Sequence, residues 1–99
     1  MADAVDLDQA IDDTRRAQVI LERIRGLPKS QRFGPLIKPQ VDAMRGWVEL
    51  AVMSGLGVEA DVAQTMARLV VIRLARGEVN VAAAILAVRE DADAPETSW

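Results

Sequence analysis

The sequence predicts an all-α domain of four helices, and three observations carry that prediction. Glycine and proline residues divide the 99-residue chain into segments, and within each segment apolar side chains recur at helical spacing. No stretch of useful length shows the alternation of apolar and polar residues that a half-buried strand needs. In the first and third segments, acidic residues gather at the start and basic residues at the end, as the helix dipole favours. We expect one helical domain over residues 1–90, followed by an acidic, disordered tail over residues 91–99.

The first helix is predicted over residues 7–25. Asp6 and Gln9 have the spacing of a capping box, in which each side chain bonds the other residue's backbone N–H. Gly26 is expected to take the left-handed conformation that ends many helices, and Pro28 prevents continuation. An apolar stripe along one side consists of Ala10, Ala17, Ile20, Leu21, Ile24 and Leu27. This one-sided pattern is typical of a helix that packs along a single seam.

The second helix is predicted over residues 39–54, after a basic loop over residues 26–38. Pro39 suits the first helical position, where its missing N–H costs nothing. Apolar residues occur nearly all round this helix, which is typical of a helix that is central or lies between its domain and a partner. Gly46 disfavours the helix by about 1 kcal/mol relative to alanine. A close crossing of another helix at Gly46 would offset that loss, so we expect one there.

The third and fourth helices are predicted over residues 58–76 and 80–90. Asn80 is the expected N-cap of the fourth helix, because its side chain can accept a bond from a free backbone N–H. The sequence leaves one alternative open, a single helix over residues 58–90 that is kinked near Gly77.

Composition excludes several classes of function. The chain has a net charge of −3 and contains neither cysteine nor histidine. Thiolate nucleophiles, the commonest general base and the commonest metal ligands are therefore missing, and we expect a protein that is not an enzyme and has no metal or cofactor. The longest apolar run, residues 81–88, is far shorter than the roughly 20 residues that span a bilayer. The N-terminus is acidic, unlike a secretory signal. We expect a cytoplasmic protein that does not associate with a membrane.

Basic residues concentrate in the middle of the chain, where residues 14–45 hold eight bases against two acids. The side chains predicted to contact phosphate are Arg15, Arg16, Arg23, Lys29, Arg32 and Lys38, with Phe33 as a stacking group. Alternatively, the arginines of the first helix interact favourably with the helix dipole and with neighbouring acids, and the basic residues of the loop keep it in contact with solvent. The acidic balance of the whole chain disfavours tight independent binding, so only weak, non-specific contact with nucleic acid is expected.

Two further surfaces point to protein partners. The stripe of the first helix and the second apolar face of the second helix predict contact between copies of the chain. The predicted self-association residues are Ala17, Ile20, Leu21, Ile24, Trp47 and Leu50. The tail is expected to bind one larger protein, with acids that steer it and an indole that anchors it. The predicted tail residues are Asp91, Asp93, Glu96 and Trp99; a frayed terminus without a role is the alternative.

Residues 67–90 resemble part of the small terminase subunits of tailed phages and gene transfer agents. A Leu-rich helix ends there at the turn Gly77-Glu78-Val79, and an Ala-rich helix that closes with Arg89-Glu90 follows. The resemblance implies a non-enzymatic, ring-forming subunit that engages the large ATP-driven packaging subunit and helps present DNA to it. The N-terminal helix-turn-helix common in that family has no counterpart, because residues 1–25 read as one long helix.

These observations together predict an assembly subunit or adaptor, of which a small-terminase-like DNA-packaging protein is the specific form. Two alternatives stay open: a small helical inhibitor or regulator that binds one target protein, and a minor nucleic-acid-binding protein. The mass of the protein in solution would separate the first from the second, because a stable assembly of many copies favours the packaging subunit.

Overall fold

Four helices form the part of the chain that the computed structural model describes, which is residues 5–28 and 37–93, with only the backbone of Ala92 and Asp93. The helices are α1 (Leu7–Arg25), α2 (Lys38–Leu56), α3 (Ala60–Ala75) and α4 (Val81–Asp93). No strand occurs among these residues, and the predicted all-α, four-helix fold is confirmed. The bounds of α1 match the prediction, and α4 runs three residues past its predicted end. The single long helix over residues 58–90 is wrong, because the chain turns between α3 and α4 with Gly77 at φ 109°.

The start of α1 forms only half of the predicted capping box. The Asp6 carboxylate accepts a hydrogen bond from the Gln9 backbone N–H at 3.0 Å. The Gln9 side chain instead donates to the buried carboxylate of Asp13 at 3.0 Å. The Asp6 backbone N–H donates to the Ser54 carbonyl at 2.7 Å, which ties the start of α1 to the last turn of α2.

The helix ends use their glycines differently from the prediction. Gly26 after α1 has φ −79°, so the expected left-handed conformation is wrong. Its N–H donates to the Glu22 carbonyl at 3.0 Å, and the helical hydrogen bonding continues through it. Gly57 after α2 does take the left-handed conformation, with φ 66°. The predicted Asn80 cap of α4 is confirmed by a 2.8 Å bond from the Ala83 N–H to the Asn80 side-chain oxygen.

Each helix packs against the next one along the chain, and α4 also contacts α1 and α2. Two surfaces matter below, one formed by α1 and α2 and the other by α3 and α4. The interior is filled by aliphatic side chains. The buried core consists of Ala17, Leu21, Met44, Val48, Val52, Ala63, Met66, Ala67, Val70, Leu74, Val81, Ala84 and Val88.

The close approach of two helices occurs at Gly55 and not at Gly46. A Cβ atom built on Gly46 would meet nothing within 4 Å, so the close crossing expected at that residue is wrong. A Cβ atom built on Gly55 would lie 3.1 Å from the Cβ of Ala10. The small residues at these two positions let the first half of α1 lie close against the end of α2.

The end of α1 holds the connection between α3 and α4. The Arg25 guanidinium donates to the backbone carbonyls of Glu78 at 2.6 Å, Val79 at 2.8 Å and Leu74 at 3.3 Å. Two turns earlier in α1, the side-chain oxygen of Gln18 accepts from the Val81 N–H at 2.9 Å. These bonds satisfy backbone groups at two helix ends, which a helix cannot satisfy by itself.

Candidate protein-binding faces

The predicted self-association residues divide between the core and the surface. Ala17 and Leu21 are buried among residues of the same chain, so their assignment to a surface is corrected: they cannot meet a second copy while this fold is intact. Ile20 and Ile24 are half-buried. Trp47 is half-buried and Leu50 is 47% exposed, so the second face of α2 is the part of the set that solvent reaches.

The exposed part of this set lies on one side of the domain, here called the α1–α2 face and defined by Arg16, Val19, Trp47 and Leu50. The guanidinium carbon of Arg16 lies 4.7 Å from the centre of the Trp47 ring, which is the geometry of a cation–π contact. Val19 and Leu50 each follow one of these two residues by three positions, on the same side of its helix. Both aliphatic side chains are nearly half exposed, at 48% and 47%. An aromatic ring, an arginine and two aliphatic groups are thus presented together.

Helices α3 and α4 form a second apolar surface, here called the α3–α4 groove and defined by Val62, Leu69, Ile72 and Val88. The three α3 residues are 44%, 46% and 45% exposed although they are large and apolar. With Thr65 between them, their spacing of three and four residues places them on a single stripe of α3. Two adjoining concavities meet at Leu69 and Val88; the one of about 510 Å³ is mainly apolar, and the one of about 400 Å³ is also lined by Arg73, Arg76 and Glu78.

The end of α4 belongs to this side and not to a separate tail. The Asp91 carboxylate accepts a hydrogen bond from the Arg73 guanidinium, which also lies 3.7 Å from the Glu78 carboxylate. Asp91 is therefore part of α4 and not of a disordered tail, which corrects the boundary predicted at residue 91. Its contact with a larger partner stays a prediction, because the side chain is exposed. Asp93 is the last residue of α4, and Glu96 and Trp99 lie outside the described residues.

The predicted phosphate-contacting residues do not form one site in the described chain. Arg15, Arg16 and Arg23 are exposed on α1, and none has a carboxylate within 4 Å among the residues that the structure describes. Lys38 begins α2, where its amine pairs with the Asp42 carboxylate at 3.2 Å. Lys29, Arg32 and Phe33 lie outside the described residues. The basic surface that the structure places is thus three arginines along one helix.

The acidic residues serve local structure. Asp6 caps α1, and Asp13 is buried with the Gln9 amide as its hydrogen-bond donor. Within residues 5–28 and 37–93, acidic side chains form no group of three that could hold a metal ion.

An apolar cavity of about 530 Å³ lies between the end of α1, the start of α2 and the end of α3, where Ile24, Met44 and Leu74 line it.

Sequence reasoning missed the α3–α4 groove as a surface, although a signal was present. An apolar edge of Val62, Met66 and Leu69 is visible in the sequence, but the structure buries Met66 and exposes the other two. Ile72 completes the stripe three residues after Leu69. The spacing of Val62, Leu69 and Ile72 alone would have predicted a second seam on the outer side of α3.

No protein-family model, curated protein or solved structure matches this chain. Among the described residues, the helices lack the length and continuous apolar character that a membrane crossing requires. An account of function therefore has to start from the two faces themselves.

Proposed function

We propose that this chain is a non-enzymatic assembly subunit of the small-terminase type, which binds copies of itself and recruits a larger protein to DNA. The observation that supports the proposal is the pair of exposed apolar surfaces on different helices of a domain that has its own buried core. Contiguous apolar surface of this kind on a small soluble domain marks sites of association. A chain with two such surfaces has the means to contact more than one partner.

Self-association in this proposal uses the α1–α2 face, with Trp47 as its anchor. Tryptophan and arginine are the residue types that most often dominate binding energy at protein interfaces, and here the Arg16 guanidinium already lies over the indole ring. Leu50 and Val19 supply apolar area beside that pair. The larger partner is assigned to the chain after α4, where Glu96 supplies charge and Trp99 an indole.

Contact with DNA is assigned to Arg15, together with Arg16 and Arg23 in any copy whose α1–α2 face is not covered by another copy, and is weak and independent of base sequence. Three exposed cations on one helix suit phosphates, but a net charge of −3 for the whole chain opposes close approach to DNA. A packaging role does not need more, because the resemblance over residues 67–90 implies a subunit that presents DNA to a motor. Replacement of Arg15 and Arg16 by alanine should abolish any salt-sensitive gel shift.

The mass of the protein in solution tests the proposal. Light scattering after gel filtration, with native mass spectrometry, should find a stable assembly of many copies. Trp47→Ala should reduce the mass, whereas Leu86→Ala should not, because Leu86 is an exposed leucine of α4 outside both faces. Circular dichroism would show that both variants stay helical. The proposal would be refuted if the wild-type protein were monomeric in solution.

A regulator that binds one target protein is the second candidate, and the region around the Arg16–Trp47 cation–π contact would then be its docking surface rather than a contact between copies. A monomer or a single dimer in solution, together with capture of one stoichiometric partner through Trp47, would favour it.

The assignment of partner binding to the C-terminal tail has its own test. Removal of residues 94–99 should leave the helicity and the number of copies in the assembly unchanged, because α4 and the Arg73–Asp91 bond are kept. The same deletion should abolish binding to the large packaging subunit.

A further inference from the structure

We propose that the α1–α2 face of one copy docks into the α3–α4 groove of a second copy, so that unlike surfaces meet head to tail. This inference rests on the proposed self-association and names both halves of the contact. The occupant of the groove is thus a second copy of this chain, whose Trp47, Leu50 and Val19 side chains contact the groove.

The location of the two surfaces supports a contact between unlike faces. The α1–α2 face lies on the first two helices and the α3–α4 groove on the last two, so the two surfaces share no helix. Pairing of two identical faces would close a dimer and leave the other apolar surface of each copy in water. Pairing of unlike faces covers both surfaces with copies of one chain, and further copies can add at each end.

The shapes of the two surfaces also differ in the way that such a contact needs. The α1–α2 face presents an indole capped by a guanidinium, with Leu50 beside it. The α3–α4 groove is concave where Leu69 and Val88 meet. Large apolar side chains that enter apolar depressions are the usual centre of a protein interface.

The charges along the two surfaces match in one direction only. On α1, the acidic Asp12 comes first and the basic Arg23 follows eleven residues later, about 16 Å along the helix. On α3, the acidic Asp61 comes first and the basic Arg76 follows the helix about 22 Å further on. None of these four residues has an oppositely charged partner within 4 Å among the described residues. If α1 of one copy runs antiparallel to α3 of the next and Arg23 lies opposite Asp61, Asp12 lies about one helical turn (about 6 Å) short of Arg76, a gap that the long arginine side chain can span.

Three leucine-to-glutamate variants test the contact with matched chemistry. Leu50 and Leu69 lie on the two faces, and Leu86 lies on neither; they are 47%, 46% and 55% exposed. Leu50→Glu and Leu69→Glu should each leave the protein monomeric, with the apparent dissociation constant raised by on the order of 30-fold or more, as for a hot-spot residue. Leu86→Glu should assemble as the wild type does. Serine replaces glutamate in any variant that loses helicity.

The decisive measurement is an equimolar mixture of Leu50→Glu and Leu69→Glu. The first variant keeps an intact groove and the second an intact α1–α2 face, so the mixture should form a 1:1 heterodimer and nothing larger by native mass spectrometry. A mixture that stays monomeric, or assembly by either variant alone at the wild-type level, overturns the head-to-tail contact. Wild-type protein that does not assemble at all would instead refute the proposed function.

The antiparallel direction has a separate test. Arg23→Asp or Asp61→Arg alone should weaken assembly, and the two changes in one chain should restore it, because residue 23 of each copy faces residue 61 of the next. Failure of the double variant to recover would overturn the antiparallel direction.

Discussion

Arg25 closes the domain at one end, and its replacement by alanine should lower the free energy of unfolding by about 2 kcal/mol. The guanidinium donates to three carbonyls that lie 49 to 54 residues away in the sequence. A hydrogen bond that involves a charged group contributes about 1.5–3 kcal/mol. Arg25 is only half-buried, and water would replace part of what is lost, so three bonds together should contribute about as much as one buried bond.

The position of the carbonyls adds to the effect. Leu74 belongs to the last turn of α3, where carbonyl groups have no partner within the helix and where the helix dipole favours a positive charge. Arg25→Lys keeps the charge but loses the planar donor arrangement that reaches several oxygens at once. We therefore expect the lysine variant to lose about half as much stability as the alanine variant, or about 1 kcal/mol.

Urea unfolding followed by circular dichroism measures these differences. Protein concentration must be low and equal in all samples, because association stabilises the folded state by mass action. Arg15→Ala is the matched control, since Arg15 is exposed on the same helix and its loss should change stability by no more than about 0.5 kcal/mol. If Arg25→Ala and Arg15→Ala unfold at the same urea concentration, the bonds at the α3–α4 connection contribute nothing and the reasoning is refuted.

Three glycine or cap substitutions should change stability in the same assay. Gly46→Ala should raise the unfolding free energy by about 0.5–1 kcal/mol, because its Cβ meets nothing within 4 Å, whereas Gly55→Ala should give less than this, since its Cβ would crowd Ala10; equal gains would contradict the packing. Gly77→Ala should cost about 1 kcal/mol or more, given φ 109°, and no loss would argue against that conformation. Asn80→Ala should cost about 1 kcal/mol, with Asn80→Asp as the variant that keeps most of the cap.

The helices themselves could be predicted because their signals are local. Asp6 and Asn80 cap helices with side chains that reach only three residues along the chain, so the sequence contains both partners of each bond. The glycines were harder, because their role depends on what lies opposite. Gly46 and Gly55 look alike in the sequence, yet only one faces a neighbouring helix.

The faces could be predicted only in part, for a related reason. The stripe of α1 that contains Ala17 and Leu21 has the pattern of a seam, but a sequence pattern does not say whether the seam meets the same chain or another. In the structure α2 of the same chain fills it. Trp47 and Leu50 stayed accessible because they lie on the side of α2 that turns away from α3. The exposed stripe of Leu69 and Ile72 could not be recognised in the sequence, because α3 has a second apolar edge and the pattern does not say which of the two is buried.

The modest burial of α4 has a consequence for how the domain opens. Only Val81, Ala84 and Val88 are buried among the described side chains of α4, and α4 has less contact with the other helices than α1, α2 or α3 has. We therefore expect α4 to be the unit of lowest local stability. Its backbone amides should therefore exchange with deuterium before those of α2. The groove exists only while α4 is packed against α3, so a second copy bound there would slow exchange throughout α4. Assembly and the ordering of the last helix would then be a single coupled equilibrium.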